Sequence, residues 1–367
     1  MALLLKNYDA KPRLAVVRTD AGTAEKDCEY AIQSGKGLRF MPDGAYFELT
    51  DQGAGLPELF RDGDIITINR YGLIRKQYDH SEREATVFIT GQCNSNCIMC
   101  PDSDAARQRN TGFSEEWLFR YIAMLPSDIT HLVVTGGEPT LRTETFLRAM
   151  QLLADRFCET ECLLLSNGRS FASKKLTERL LSYCPQYLTV AVPVHGHAAD
   201  LHDYITRAEG SFRQTFAGIK HLLAHKVAVE IRIVVSKLNY KYLTDIAELI
   251  VSEFPTAAIV NLIGLETLGN CAKNLSSVFI DYAASFPYIK DALLVLLKAG
   301  MNASIYNYPL CMVERGFWSL CQRSITPSKI VYPHECARCD AKKYCSGFFG
   351  STFSVTHPRV TPITLHE

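Results

Sequence analysis

The chain has 367 residues, of which 47% are hydrophobic, so it is long enough to bury a large core in two or three structural units. Lysine plus arginine equals aspartate plus glutamate, at 39 each, and this balance disfavours a nucleic acid or an anionic membrane as partner. The apolar run at the N-terminus is too short for a signal peptide, and no stretch approaches the roughly 18 apolar residues of a membrane span. These features predict a cytoplasmic globular protein.

Residues 1 to 83 contain short alternating runs, such as "GAYFEL" and "DIITINRYGLIRKQY". Turn sequences, "PDG", "DQGAG" and "RDGD", separate the runs. Alternation of apolar and polar residues between turn signals is typical of β-strands. The pattern predicts a small β-rich N-terminal unit over residues 1–83.

From residue 84 the pattern changes to strands that alternate with amphipathic helices. Six segments are strand-like: "ATVFIT", "HLVVT", "ECLLLSN", "LTVAVPV", "VAVEIRIVVS" and "AAIVNLIGLE". Among the helical segments, "SEEWLFRYIAML" has Ser114 as its expected N-cap. This order predicts parallel βα units with right-handed crossovers, in a barrel or a doubly wound sheet. We expect the core to span residues 84–285 and the alternation to end near residue 300, before a cysteine-rich extension over 286–367.

The 13 cysteines fall into two groups and a scatter. The first group is Cys93, Cys97 and Cys100, and the second is Cys311, Cys321, Cys336, Cys339 and Cys345. In a reducing cytosol, clustered thiols indicate metal ligands or catalytic groups rather than disulfides. The scattered cysteines, Cys28, Cys158, Cys162, Cys184 and Cys271, fit small buried apolar residues.

The first group, with the spacing Cys-x3-Cys-x2-Cys, directly follows the first strand of the alternating region. Active sites of βα folds assemble at this end of the strands. Three thiolates can hold three irons of a [4Fe-4S] cluster and leave the fourth iron open to a small molecule. A zinc site that lacks its fourth ligand is the alternative.

The second strand ends in "HLVVTGGEPTLR", which places Gly136, Gly137 and Glu138 about 40 residues after the cysteines. Two glycines allow the backbone to approach a ligand closely, and a carboxylate can accept hydrogen bonds from an ammonium group. The two motifs on neighbouring strands indicate one shared site.

With these motifs the chain resembles the radical S-adenosylmethionine (SAM) superfamily, and residues 84–285 are similar to its partial (β/α)6 barrel. The resemblance implies that Cys93, Cys97 and Cys100 ligate a [4Fe-4S] cluster whose open iron is chelated by SAM. It also implies that Gly136, Gly137 and Glu138 contact the methionyl amino group of SAM. The implied chemistry is reductive cleavage of SAM to a 5'-deoxyadenosyl radical, which abstracts hydrogen from an unactivated carbon.

The resemblance suggests further SAM contacts. Met99 stands where an aromatic residue is common, and its apolar side chain can still cover the adenine. Ser166 and Asn167, in "LSNG", match the end of the third strand. Arg232 and Glu266, near later strand ends, are weaker candidates for the pocket, and a purely structural role fits them equally well.

Other polar residues near the strand ends admit two interpretations. Pro193 stands where many members have a ribose-binding serine, so that role is not carried over. His195, His197 and His202 fit loop and capping contacts, and a proton relay is the alternative. Cys271 is a loop cysteine by pattern, with hydrogen-atom donation as the alternative.

The second cysteine group includes the compact spacing Cys336-x2-Cys339-x5-Cys345, which an upstream cysteine can complete as a four-thiolate site. The tail resembles the auxiliary-cluster regions, called SPASM or twitch domains, of radical SAM enzymes that act on peptides. We expect one auxiliary [4Fe-4S] cluster held by Cys311, Cys336, Cys339 and Cys345, with Cys321 spare. Structural zinc is the alternative.

A closer resemblance covers nearly the whole chain. The stretches "FRDGDIITINRYGLI", "CNSNCIMCPDSD", "LIGLETLGNCAKN", "IYNYPLC" and "HECARCDAKKYCSGFF" are similar to the C-type radical SAM maturases of His-Xaa-Ser repeat peptide systems. This implies modification of a small ribosomally made peptide, with cross-linking favoured, alongside a partner radical SAM maturase and an external electron donor. A radical SAM enzyme acting on RNA or a small molecule, and a non-catalytic zinc-binding module, are the other hypotheses.

Overall fold

The structure is a computed structural model that describes residues 3–8, 11–19, 29–34, 36–50, 59–102, 104, 107 and 113–365. Cys28 lies outside the described residues. The described strands form a seven-stranded sheet, an eight-stranded sheet and a two-stranded sheet.

The seven-stranded sheet belongs to the N-terminal part of the chain and has the order β1-β7-β6-β2-β3-β4-β5. Its strands are β1 (Leu3–Leu4), β2 (Arg13–Arg18), β3 (Tyr30–Ser34), β4 (Gly37–Met41), β5 (Tyr46–Glu48), β6 (Ile65–Ile68) and β7 (Leu73–Tyr78). Strand alternation gives the sheet two apolar faces. Ala15 and Val17 pack in a core of its own, whereas Leu14 and Val16 pack against the following barrel.

The eight-stranded sheet is parallel throughout and runs in chain order from β8 to β15. Its strands are β8 (Glu84–Phe88), β9 (His131–Thr135), β10 (Glu161–Leu165), β11 (Leu188–Pro193), β12 (Ala228–Val234), β13 (Ile259–Ile263), β14 (Ala303–Tyr306) and β15 (Cys321–Gln322). The first six correspond to the six predicted strands. The α/β class and the partial barrel are therefore confirmed.

Helices connect and follow these strands, and the longer ones pack against the sheet. They are α1 (Glu115–Met124), α2 (Thr143–Arg156), α3 (Lys174–Leu181), α4 (Ala199–Thr206), α5 (Ser211–Ala224), α6 (Leu243–Glu253), α7 (Gly269–Lys273), α8 (Leu275–Val278), α9 (Tyr282–Lys298) and α10 (Gly350–Thr356). Ser114 caps α1 as expected, because its side chain accepts a hydrogen bond from the Trp117 N–H at 3.3 Å.

The sheet continues beyond the expected core. The expected end of the alternation near residue 300 is wrong, because β14 and β15 add two more parallel strands. The expected boundary at residue 285 falls inside α9, whose buried side chains, such as Ile289 and Leu293, pack in the same core as the other helices. The short length of β14 and the proline at position 287 hide this βα unit in the sequence pattern.

The tail after β15 contains short 3-10 turns, the two-stranded sheet of β16 (Ile330–Val331) and β17 (Phe348–Phe349), and α10. Thr352 of α10 joins the tail to the barrel, since its hydroxyl donates to the Leu265 carbonyl at 3.0 Å. In the part of the chain that the structure describes, no helix combines the length and apolarity needed to cross a membrane.

Leu164 lies in β10 and is fully buried. We expect Leu164→Ala to lower the free energy of unfolding by about 2–5 kcal/mol, because it leaves a cavity in the core. Urea denaturation would measure this change. Tyr187→Ala, at a position that is 52% exposed, should stay within about 0.5 kcal/mol. Equal effects of the two substitutions would contradict the packing described.

Candidate active site

The three clustered cysteines lie on the loop that follows β8, here called the cysteine loop (residues 90–102). Cys93, Cys97 and Cys100 are all partly buried. The loop folds back on itself, since the Cys100 N–H donates to the Cys97 carbonyl at 3.2 Å and the Ser95 N–H donates to Cys93 Sγ at 3.4 Å. These turns keep the thiols within one short segment at the C-terminal end of the strand.

The end of β9 packs directly against the start of the cysteine loop. The Gly137 N–H donates to the Thr90 carbonyl and the Glu138 N–H to the Gln92 carbonyl, both at 2.7 Å. A Cβ on Gly137 would lie 2.4 Å from the Gln92 oxygen, and one on Gly136 would lie 2.5 Å from the Thr90 oxygen. The two glycines are therefore required by the neighbouring backbone itself, a reason that the sequence analysis did not give.

Glu138 is fully buried, and its carboxylate joins two strand ends. Oε1 accepts from the Thr140 N–H at 3.1 Å, the Thr140 hydroxyl at 2.6 Å and the Ser166 hydroxyl at 2.9 Å. Oε2 accepts from the Asn167 N–H at 2.6 Å. Burial raises the pKa of Glu138, and these donors oppose the shift. Since Oε2 has one donor, it retains acceptor capacity for an ammonium group.

Asn167 connects the end of β10 to the cysteine loop. Its Nδ2 donates to Asn94 Oδ1 at 2.7 Å and lies 3.9 Å from Cys93 Sγ. The structure thus brings Ser166, Asn167 and Glu138, which stand in two short motifs, to the same place as the first cysteine.

Two arginines that the sequence analysis did not single out also hold the cysteine loop. Arg169 donates to the Asn94 carbonyl and, at 3.1 Å, to the Ser95 hydroxyl. Arg107 is 8% exposed and donates to Asn96 Oδ1 and, at 2.6 Å, to Asp104 Oδ1. No local motif marks either residue, because each acts through contacts with a loop whose shape the sequence does not give.

The buried surroundings oppose ionisation of the loop thiols. Burial raises the pKa of Cys93 and Cys100, and it raises the pKa of Cys97 to about 12, with the neighbouring thiols adding to the effect. The positive charge of Arg107 acts in the opposite direction on all three. Ligand binding at this loop must therefore release protons, and Arg107 lowers the cost of the thiolate form.

A segment after β13 fastens the other side of the loop. Asn270 Nδ2 donates to Asn96 Oδ1 at 2.9 Å and to the Cys97 carbonyl at 3.3 Å. Asn274 Nδ2 donates to the Ile98 carbonyl at 3.2 Å. Both asparagines stand in the quoted stretch "LGNCAKN", so the resemblance pointed to this region without giving the role of its polar residues.

Met99 and Ile98 of the loop pack in an apolar cluster with Leu265 and Cys271. Met99 is 4% exposed, so its side chain is part of this packing. The Cys271 N–H donates to the carbonyl of Cys100 at 3.1 Å, and burial raises the pKa of the Cys271 thiol to about 11. Contact of Met99 with an adenine stays a prediction.

Arg232 and Glu266 do not join this constellation. Arg232 lies on β12, where its Nε donates to Glu230 Oε1 at 2.6 Å, and Asn261 donates to the same oxygen at 2.8 Å. Glu266 forms an ion pair with Lys329 of the tail at 3.0 Å. A role of Arg232 toward SAM stays a prediction, and the contact of Glu266 is structural.

The histidines after β11 make loop contacts. The His195 N–H donates to His202 Nδ1 at 3.2 Å, so the His202 ring is an acceptor at that nitrogen. Asn239 donates to the His195 carbonyl at 3.1 Å, and His197 stacks on Tyr242 with ring centroids 5.0 Å apart. Burial lowers the pKa of His195 to about 3 and that of His202 to about 4. These neutral buried rings favour the capping interpretation over a proton relay.

The tail cysteines line an enclosed space, here called the tail space. It is bordered by Cys311, Cys336, Cys339 and Cys345, the four that the sequence analysis selected. Cys321 is not among its lining residues, and its thiol lies 3.7 Å from the Phe317 carbonyl.

Backbone amides point at the sulfurs of this space. Cys345 Sγ accepts from the Leu310 N–H at 3.3 Å and the Gly347 N–H at 3.4 Å, and Cys339 Sγ accepts from the Ile363 N–H at 3.4 Å. Such donors stabilise thiolates and tune the potential of iron–sulfur clusters. Among the described residues, no group of three or more His, Cys, Asp or Glu side chains is spaced for a single metal ion.

Comparison with known proteins identifies the core. Residues 87–250 match the model of the radical SAM superfamily. The chain carries a radical SAM domain. No curated protein matches this sequence.

Solved structures of similar shape show low sequence identity. SuiB of Streptococcus suis bound to S-adenosylmethionine is 12% identical with a TM-score of 0.47, and the match covers 63% of this chain and 51% of SuiB. Native anSMEcpe with bound AdoMet and the Cp18Cys peptide is 16% identical with a TM-score of 0.46, covering 60% and 62%. A radical SAM methyltransferase from Sphaerobacter thermophilus is 14% identical with a TM-score of 0.44, covering 77% and 76%. The chain thus spans about half the length of SuiB.

A radical SAM domain implies a [4Fe-4S] cluster and SAM, and the residues present fit them. Three thiols on one loop can ligate a cluster, the nearby Arg107 favours their thiolate form, and Glu138 Oε2 has spare acceptor capacity for an ammonium group. Cys93, Cys97 and Cys100 are the ligands that this chain offers to the cluster.

Arg107 provides a test of the thiolate environment in the radical SAM domain. We expect Arg107→Met to lose iron to a chelator about tenfold faster than the wild type, because about 1.4 kcal/mol of charge stabilisation corresponds to that factor. The rate of iron release under anaerobic conditions is measured by the change in absorbance. Arg107→Lys retains the charge and should lie between the two. An unchanged rate in Arg107→Met would contradict the electrostatic role.

The buried histidines predict how stability depends on pH. The unfolded chain binds protons on these histidines below about pH 6.5, whereas the folded chain does so only near pH 3 to 4, so acid favours unfolding. We expect the free energy of unfolding to fall by about 2 kcal/mol per histidine between pH 7.5 and pH 5. Denaturant titration of His195→Asn should show a smaller fall than the wild type. His225→Asn, at an exposed position, is the matched control, and an identical fall in all three proteins would contradict the burial effect.

Proposed function

We propose that this radical SAM enzyme modifies a small ribosomally made peptide and forms a cross-link through an unactivated carbon. The observation that carries the proposal is the cysteine loop. It lies against Gly136, Gly137 and Glu138 at the C-terminal ends of β8 and β9, inside the region that matches the radical SAM family. This is the end of the strands where βα folds assemble active sites.

The residues of the chain have distinct tasks in this proposal. Cys93, Cys97 and Cys100 hold the SAM-binding cluster, and the free acceptor site of Glu138 Oε2 takes the methionyl ammonium. Met99 supplies apolar cover for the adenine. When bound, the cluster and SAM together supply a 5'-deoxyadenosyl radical that abstracts hydrogen from the peptide. A radical of this kind must be protected from water, which the barrel, the N-terminal sheet and the tail can do.

The tail supports a peptide substrate over the alternatives. Its four-cysteine space, with amides directed at Cys339 and Cys345, fits one auxiliary [4Fe-4S] cluster of the SPASM or twitch type. Four thiolates are also the ligand number of structural zinc, which is the second candidate, although these side chains are not spaced for a single metal ion in the structure. The balance of charges, 39 against 39, disfavours RNA as the substrate. A partner maturase and an external electron donor complete the proposed system.

Anaerobic reconstitution with iron, sulfide and zinc quantified tests both metal sites. We expect about eight irons per chain in the wild type and about four when Cys93, Cys97 and Cys100 are all changed to Ala. Cys321→Ala should retain about eight, since its side chain does not border the tail space. About four irons, all lost in the triple variant, would make the tail a zinc site or a site without metal. Zinc without iron would overturn the enzyme proposal.

Activity provides the second part of this test. The reconstituted and reduced protein should convert SAM to 5'-deoxyadenosine, and a substrate peptide should lose two hydrogen atoms in mass spectrometry when a cross-link forms. Labelled RNA that becomes modified while peptides do not would overturn the peptide assignment.

A further inference from the structure

We infer that an extended peptide with acidic side chains binds as an added strand along the open edge of β8, between the barrel and the N-terminal sheet. The identity of this peptide as the substrate rests on the proposed function. The binding site itself rests on three features: unused backbone groups on β8, a groove beside them, and two arginines that have no carboxylate partner in the described chain.

The backbone of β8 has one side unused. β8 is at the edge of its sheet and pairs only with β9 in the described residues. The Ile89 N–H donates to the Thr135 carbonyl, and the Arg83 carbonyl accepts from the His131 N–H, so the odd-numbered residues face β9. Because strand backbone groups alternate in direction, those of Thr86 and Phe88 face the other side, and the structure gives them no partner among the residues it describes. An exposed row of this kind is a template for another strand.

A groove of about 820 Å³ lies beside this edge. This volume is within the range of roughly 300–1,000 Å³ that is typical of ligand pockets. Thr86 and Phe88 border it on one side and the N-terminal sheet, through Leu73, on the other. Phe113 and Trp117 add an aromatic surface, with ring centroids 6.1 Å apart. The groove therefore offers backbone pairing and apolar contact together, as strand-addition sites for peptides do.

The charge of the groove selects the kind of peptide. Arg70 and Arg75 border it and are exposed, and within the described chain neither forms an ion pair with a carboxylate. The Arg70 guanidinium is held over the Tyr71 ring at 4.7 Å. Asp102 is the acidic residue on the border, so positive charge is in excess. Arg70 also donates to the Tyr71 hydroxyl, which leaves its other N–H groups for a ligand. Guanidinium groups bind carboxylates in a two-point geometry, which favours acidic side chains in the peptide.

The position of the edge relative to the cysteine loop links binding to chemistry. The loop begins at residue 90, directly after β8, and Asp102 belongs both to the loop and to the border of the groove. A strand that pairs with Thr86 and Phe88 therefore runs toward Cys93. The rest of the peptide enters the radical SAM site from the open side of the barrel.

The test uses reconstituted holoenzyme with SAM and without reductant, so that binding is measured without turnover. The probe is a displayed library of short random peptides, and the enriched peptides are then synthesised. We expect acidic sequences, and we expect Arg70→Glu combined with Arg75→Glu to weaken their binding at least about tenfold and to enrich basic peptides instead. Enrichment of the same peptides by the wild type and by the double arginine variant would overturn the inference. So would the absence of any enriched peptide.

A second set of variants tests the backbone hydrogen bonds that strand addition requires. Thr86→Pro removes the N–H that faces the open edge and leaves the pairing with β9, a position where proline is tolerated. It should weaken the enriched peptide at least about tenfold, whereas Thr86→Ala, which retains the N–H, should not. Single N-methyl groups placed along the peptide check the same hydrogen bonds without changing the protein. Tolerance of every N-methyl position and of Thr86→Pro would overturn strand addition.

Separate readouts distinguish this inference from the proposed function. Peptide binding that disappears in the variants while SAM is still cleaved to 5'-deoxyadenosine supports the groove as a binding site. Groove-dependent binding with no modification of any bound peptide would overturn the maturase proposal and retain the groove. A random-sequence RNA oligonucleotide that competes for the groove, with an affinity lost in the arginine variants, would overturn the peptide as occupant.

Discussion

The site depends on the close contact between the backbone of residues 90–92 and that of residues 136–138. Two amide-to-carbonyl hydrogen bonds of 2.7 Å continue the β8–β9 pairing past the ends of the strands, into the loop that carries the cysteines. A side chain at Gly136 or Gly137 would collide with the carbonyl oxygens opposite. Because a loop alone has little to fix its shape, this contact determines where Cys93 lies relative to the barrel. The glycines thus contribute to the site because they let the backbone of residues 136–138 pack directly against that of residues 90–92.

Burial makes this arrangement rigid and also costly. The carboxyl group of Glu138 is out of contact with water, and four donors from two strand ends offset part of the cost of burying its charge. The same low polarity raises the pKa values of the loop thiols, and Arg107 partly offsets this effect. Networks of this kind hold their geometry because each partner lost would leave an unpaired polar group. The site is therefore preorganised by hydrogen bonds that involve no cofactor.

Much of this could be predicted from local sequence, and the remainder could not for a physical reason. Six strands follow from alternation of apolar segments, and the three cysteines and Glu138 follow from short motifs at strand ends. Arg107, Arg169 and Asn270 hold the same loop through contacts whose geometry depends on the folded loop, so no periodicity marks them. The strand β14 was missed because four residues are too few to give a pattern.

The two edges of the curled sheet differ in a way that bears on access. Beyond β15 the chain continues into the tail, which is tied back to the barrel by hydrogen bonds from Thr352 and Ser346. At β8 the neighbouring N-terminal sheet packs through Leu14 and Val16 and leaves a groove beside the strand. Covering a site expels water from it, and the two edges of this sheet are covered to different degrees. The tail occupies the β15 side, so the inferred strand addition takes place on the β8 side, next to the cysteine loop.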